Sequence, residues 1–235
     1  MTQPILATSI GDFPLQEYCL SSGERAWSFL HTGAVITVEQ ESQYLARESD
    51  RLPYGVMLWP ASIALAHDVL TRAEQLPGKQ ILELGAGTGL PGIIAASLGA
   101  SVLQIDRSDV ALHVCRMNKE RNRVVSVEVE NADWEQFQTN KQFDLILGAD
   151  VLYATSMHAR LRAICEQHLA PGGRVLFADP LRADSLTLLG AMEGGGWKVS
   201  LAKWTIQVET GPRTIAIYEL TYPGDAGKTR SRDRA

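Results

Sequence analysis

Lys79–Asp106 reads KQILELGAGTGLPGIIAASLGASVLQID, in the order strand, glycine loop, helix, strand, acid. Ile81, Leu82 and Leu84 form a short apolar run that fits a strand buried on both faces. Gly85, Gly87 and Gly89 follow at once, where glycine lets the chain turn tightly and lets a ligand approach bare backbone. Pro91 suits the first turn of a helix, which needs no N–H from it. Val102, Leu103 and Ile105 predict the next buried strand, closed by Asp106. Asp106 stands 21 positions after Gly85, a spacing that suits an acid gripping ribose hydroxyls. The unit is a nucleoside-binding βαβ.

Two registers of the glycines are open. Gly87, Gly89 and Gly92 match the dinucleotide fingerprint G-x-G-x-x-G, but this register starts two residues late and puts Gly92 inside the helix. The register from Gly85 reads E-x-G-x-G-x-G, with Glu83 on the strand. A carboxylate there repels a pyrophosphate and suits the cationic amino-acid end of S-adenosylmethionine. A bare glycine turn explains the loop but not the terminal acid.

The composition narrows the function classes. A chain of 235 residues is long enough for one domain with a substantial core. A net charge of −5 argues against a general nucleic-acid binder, which carries a basic footprint. No apolar run is long enough to span a membrane, and MTQPILATSIGDFP does not read as a signal peptide. Cys19, Cys115 and Cys165 are odd in number and far apart. They suggest reduced thiols in a cytoplasmic protein and no metal site.

Along the chain, AWSFLH and AVITVEQE flank Thr32-Gly33 and predict an N-terminal hairpin, whereas residues 1–24 carry little signal and 42–53 read as a loop. Pro60 opens a helix with Ile63, Ala66, Val69 and Leu70 at helical spacing, ended by Pro77-Gly78, and Trp59 stands just before it. Ser108 or Asp109 caps the next helix. VSVEVE (125–130) alternates like a strand and leads to Ala132-Asp133-Trp134. FDLILGADVLY (143–153) is a buried strand with Asp150 and Tyr153 at its exit. A helix opens at Ser156, and RVLFADP is a further strand. Asp184 is expected to cap the helix that follows. Two β runs on either side of Thr210-Gly211-Pro212 predict a closing antiparallel hairpin. Residues 223–235 have no apolar periodicity and read as a disordered basic tail.

Strand and helix alternate through the middle of the chain, which implies a mostly parallel sheet with helices on both faces. Such a sheet binds ligands beyond the carboxyl ends of its strands. Four ends carry polar or aromatic groups: Gly85–Gly89, Asp106, Asp133 with Trp134, and Asp150 with Tyr153. Taken together, they make a site.

From about Ile36 to Tyr222 the chain resembles the class I, seven-β-strand methyltransferases that use S-adenosylmethionine, and more closely the family 16 protein-lysine methyltransferases. ILELGAGTG is shared by the superfamily. GVMLWPAS resembles the family's cofactor-covering segment, ADW (132–134) its adenine-binding turn, and Asp150-Val151-Leu152-Tyr153 its D-x-x-Y motif. Asp179-Pro180-Leu181-Arg182 is similar to the D-P-x-R stretch of the electron-transfer-flavoprotein β-subunit lysine methyltransferases.

The resemblance implies an α/β, Rossmann-like, seven-stranded sheet with a C-terminal antiparallel hairpin. It also implies an N-terminal β-rich extension over 1–55, a methyltransferase domain over 56–222 and a tail over 223–235. Trp59, Glu83, Gly85, Ala86, Gly87, Gly89, Asp106, Asp133, Trp134 and Ala149 are its expected S-adenosylmethionine contacts, with Asp150 orienting the acceptor and Tyr153 walling its channel. The implied activity is methylation of a lysine on a protein substrate; from charge and hydropathy no nucleic-acid or membrane partner is expected, and with no oligomer signal in the sequence a monomer is expected. A small-molecule N-methyltransferase with a lid over the site, a non-catalytic binding module and an NAD-dependent oxidoreductase stand as alternatives.

Overall fold

The computed structural model describes residues 4–8, 11–33, 54–208 and 211–222. Their strands are β1 (Ile5–Thr8), β2 (Gly11–Pro14), β3 (Gln16–Ser22), β4 (Arg25–His31), β5 (Gln80–Leu84), β6 (Ser101–Asp106), β7 (Val127–Asn131), β8 (Phe143–Ala149), β9 (Leu169–Asp179), β10 (Lys198–Val208) and β11 (Gly211–Thr221). The helices are α1 (Pro60–Thr71), α2 (Leu90–Ser97), α3 (Asp109–Arg121), α4 (His158–His168) and α5 (Ala183–Gly194).

Seven strands form one sheet in the order β10-β11-β9-β8-β5-β6-β7. β5 to β9 run parallel, and β11 is antiparallel to both β9 and β10. This is the α/β sheet with a closing hairpin that the sequence pattern implies. The strand order reverses at β5, which lies between β6 and β8. Open sheets of this class bind ligands at such a switch point.

Alternate residues of β5 feed opposite faces. Ile81 joins a core with α1 and α2 residues such as Leu65 and Ile93, together with Val102, Leu147 and Ile217. Leu82 and Leu84 join Ile105, Phe177 and residues of α4 and α5 such as Leu161 and Leu188. Each fully buried leucine stabilises the fold by about 1.5–3 kcal/mol, so both faces hold β5 firmly below its glycine loop.

The N-terminal strands include a hairpin that the sequence reading did not name. AWSFLH lies within β4, which pairs with β3, with Leu20 opposite Trp27 and a turn at Gly23-Glu24. A second hairpin pairs β1 with β2. Exposed positions alternate poorly in β3, so its sequence shows little strand signal. AVITVEQE, the loop at 42–53 and the basic tail lie outside the described residues.

The N-terminal strands rest on α3. Leu6, Leu15 and Leu30 share a small core with Val56, Ala111 and Val114. Asn118 and Asn122 act as a substitute strand edge: Asn118 bonds the N–H and carbonyl of Leu30, and Asn122 bonds those of Ser28.

Three expectations are corrected. Asp184 does not cap α5: Arg182 is its N-cap residue, with no capping side chain, and Asp184 lies in the first turn. α1 stops at Thr71, ahead of Pro77-Gly78, and a 3-10 turn over Ala73–Gln75 fills the interval. Arg72 sets that end by bridging Asp68 and Glu219 of β11, each at 2.8 Å. Gly211 and Pro212 lie within β11, opposite Val208 and Gln207, and not between the two strands.

Candidate active site

The glycine loop leaves β5 in a conformation that side chains oppose. Gly85, Gly87 and Gly89 have φ of 63°, 54° and 81°, in the left-handed region. A Cβ on Gly87 would come within 3.0 Å of the Gly55 carbonyl, and one on Gly85 within 3.3 Å of the Trp134 ring. The loop therefore lies between the segment leading to α1 and the turn after β7. Trp59, half-buried, ends that segment as the N-cap residue of α1, where its carbonyl accepts from the N–H of Ser62 and Ile63.

Asp106 faces the loop from the end of β6. Its carboxylate accepts from the N–H of Gly87 at 3.0 Å and of Ser108 at 2.9 Å. Burial raises its pKa, opposed by these N–H bonds. The Ala86 N–H donates to the Ile105 carbonyl, which joins loop and strand directly. Asp133 and Trp134 stand beyond β7 on the same edge, both half-buried. Asp133 accepts from the Glu135 N–H at 2.9 Å, and Arg160 holds the carbonyls of Trp134 and Phe137.

Glu83 has a different position from the one expected. It is 2% exposed and turned beneath the loop. Its Oε2 accepts from the Gly92 N–H at 3.1 Å and from Gln104, whose amide also donates to the Gly89 carbonyl. Cys115 donates to Gln104 from α3. Burial pushes Glu83 up to about 7, while the bonds from Gln104 and Gly92 pull it down. Glu83 thus joins β5, β6 and α2 beneath the loop. Gly92 is part of this arrangement, since a Cβ there would stand 2.6 Å from the Gln104 amide nitrogen.

The ends of β8 and β9 form a second, ionic cluster. Ala149 closes β8, and Asp150 turns out of it at φ 58°, with its N–H on the Ala178 carbonyl at 2.8 Å. Asp150 Oδ1 is ion-paired with the Arg182 guanidinium. Asp179, fully buried at the end of β9, accepts the Arg182 N–H at 2.7 Å, and its second oxygen lies 3.5 Å from the same guanidinium. Burial first, then the neighbouring Asp179 carboxylate, push Asp150 up from the ordinary carboxylate range; Arg213 opposes them. Tyr153, 41% exposed, stands at the rim.

The strand-end residues expected from sequence thus lie along one edge of the sheet, on the four adjacent strands β8, β5, β6 and β7. Asp150 and Tyr153 flank the switch on one side, and Asp106, Asp133 and Trp134 on the other. The sequence reading missed the partnership of Arg182 and Asp179 with Asp150. D-P-L-R carried a signal, being a fifth polar strand end. Asn118 was also missed; its amide donates to the Thr88 carbonyl inside the loop.

Comparison with known proteins agrees with this geometry. A family model described as lysine methyltransferase matches residues 39–187. Protein N-lysine methyltransferase METTL21A of Danio rerio is 36% identical over 159 residues, covering 64% of this chain and 72% of the relative. Histone-arginine methyltransferase METTL23 of Xenopus laevis is 34% identical over 137 residues, 56% of this chain and 58% of the relative. The chain spans between 42% and 58% of the length of the METTL23 relatives it matches. Among solved structures, N-methyltransferase NodS from Bradyrhizobium japonicum WM9, in complex with S-adenosyl-L-homocysteine, has a TM-score of 0.58 at 19% identity, covering 79% of this chain and 97% of that one. At that identity the likeness is one of fold.

Proposed function

This chain belongs to the lysine methyltransferase family, and from that premise we propose that it is an S-adenosylmethionine-dependent methyltransferase acting on a lysine of a protein substrate. The observation that carries the reading is the alignment of a glycine loop, a ribose-type acid and an acceptor-type acid along one edge of the sheet.

The residues fit the cofactor. The left-handed loop leaves backbone bare beside Asp106. Asp106 has two oxygens to offer to ribose hydroxyls. Trp134 presents a ring beside Gly85 that can stack on a base, with Asp133 next to it as an acceptor. When bound, S-adenosylmethionine supplies a methyl group on a sulfonium, an electrophile with its leaving group built in.

The chain's own residues then position the acceptor. Lysine has a reference pKa of about 10.4 and arrives charged. Asp150 binds the ammonium and keeps the nitrogen in place once its proton has passed to water, so that the lone pair can attack. Tyr153 walls the approach, and Trp59 lies on the loop side, where an aromatic face attracts a cation. The rate enhancement arises chiefly from positioning.

The histone-arginine methyltransferase relatives favour a second reading, in which the acceptor is a guanidinium. One experiment tests both. The protein and radiolabelled S-adenosylmethionine are added to lysate from cells lacking this gene, with Asp150→Ala as control. A labelled band absent with the variant is the expected result, and mass spectrometry of that band distinguishes methyl-lysine from methyl-arginine. Label confined to small molecules would overturn the protein-substrate reading.

A further inference from the structure

We propose that Arg182 determines acceptor specificity: its guanidinium occupies the Asp150 carboxylate in cis, and an acceptor gains access only by supplying a cation that exchanges with it. The proposal rests on the methyltransferase reading and goes beyond it by assigning a competitor at the acceptor acid.

The contact is built by two adjacent strand ends. Asp150 leaves β8 at φ 58° and Leu181 follows β9 at φ 66°, both in the region that non-glycine residues rarely adopt. Asp179 fixes the second turn through its bond to the Arg182 N–H. Although Arg182 is the N-cap residue of α5, it has no capping side chain there; its side chain instead lies on Asp150. Leu181, beside it, is 43% exposed, so the turn is at the surface.

Like-charge repulsion explains why an exchange is needed. Among the described residues, Asp150 and Asp179 bring carboxylates from β8 and β9, and Arg182 lies on both. An ammonium brought to Asp150 must share that carboxylate with the Arg182 guanidinium, and two like charges in a buried site are costly while Arg182 remains in place. Release of Arg182 towards solvent removes that repulsion. Burial and the like charge of Arg213 lower Arg182 to about 10, whereas Asp184, exposed on the first turn of α5, attracts it. Asp184 thus offers Arg182 a carboxylate outside to move to. A neutral acceptor offers Asp150 nothing in return and is discriminated against.

Two cofactor analogues test this without knowledge of the substrate. Sinefungin carries an amine where the cofactor carries its methyl-sulfonium, so its ammonium points to the acceptor side; S-adenosylhomocysteine has a neutral sulfur there. Calorimetry gives the ratio of their affinities. Arg182→Met should raise the preference for sinefungin by about tenfold while leaving S-adenosylhomocysteine binding intact. Arg182→Lys, which keeps a cation and guards against a variant that misfolds, should raise it by less. Adding Asp150→Asn to Arg182→Met should abolish the gain. A purely structural Arg182 predicts weaker binding of both compounds and no gain. An unchanged or lowered ratio in both Arg182 variants overturns the proposal alone. Failure of the unaltered protein to bind either compound overturns the reading beneath it.

Discussion

The side-chain amide of Asn118 on α3 donates to the carbonyl of Thr88 in the glycine loop at 2.9 Å. The same side chain bonds the N–H of Leu30 at 2.6 Å and its carbonyl at 3.0 Å. One buried residue therefore joins β4, α3 and the loop.

Replacing Asn118 with Ala leaves buried backbone groups unpaired, at about 1–3 kcal/mol each. Three such groups are left, so we expect Asn118→Ala to lower stability by roughly 3 kcal/mol or more and to weaken S-adenosylmethionine binding. Asn122→Ala breaks the contact with Ser28 but touches no loop residue, so it should lower stability while leaving the affinity of the folded protein unchanged. Urea denaturation with calorimetry on both variants separates the two effects.

Asp106 offers its carboxylate to the loop N–H groups and, by this reading, to the ribose. Asp106→Ala should cost about 1–3 kcal/mol of cofactor affinity, the scale of a charged hydrogen bond. Calorimetry showing no change would place the ribose elsewhere.

Glu83 links stability to pH. Its folded pKa, about 7, lies above the ordinary value of 4.5 because burial penalises the charge. The folded state therefore binds the extra proton, and stability falls as pH rises from about 4.5 to 7. Glu83→Gln resembles the protonated acid. It should match the unaltered protein near pH 4.5 and exceed it at pH 8 by an amount on the order of 3 kcal/mol. Denaturant midpoints at the two pH values check this, and a gap that does not change with pH would remove Glu83 as its source.

Gly92 lies over Glu83 and Gln104 with no room for a methyl group. Gly92→Ala gains helix propensity worth about 1 kcal/mol, but overpacking costs typically 1–3 kcal/mol. The net expectation is a lower melting temperature and a weaker hold on the loop. A melting temperature above that of the unaltered protein would show that the Glu83–Gln104 pair gives way.

Much of this was legible in the chain. Ile81, Leu82 and Leu84 declared a strand buried on both faces, and a glycine loop can follow such a strand only in a few ways. Asp106 was legible because its spacing is set by the length of one helix and one strand. β3 was not, because its side chains are mostly exposed and show no alternation. Its pairing with β4 was not legible for the same reason: pairing is decided by which backbone lies alongside, here on a platform of two asparagines from α3.

The sequence by itself determined the sheet, its ligand edge and the kinds of group that stand there, since these follow from local periodicity and from residues adjacent to strand ends. Only the tertiary structure decided what those groups touch. Glu83 read as a ligand contact by its charge, yet the period of two along β5 turns it under α2, where Gly92 leaves space for it. Asp150 read as a carboxylate awaiting an acceptor, yet Arg182, 32 residues further along the chain, already lies on it. Ion pairs between neighbouring strand ends depend on strand order and on the turn each chain takes at its exit, and neither is written in the spacing of the residues themselves.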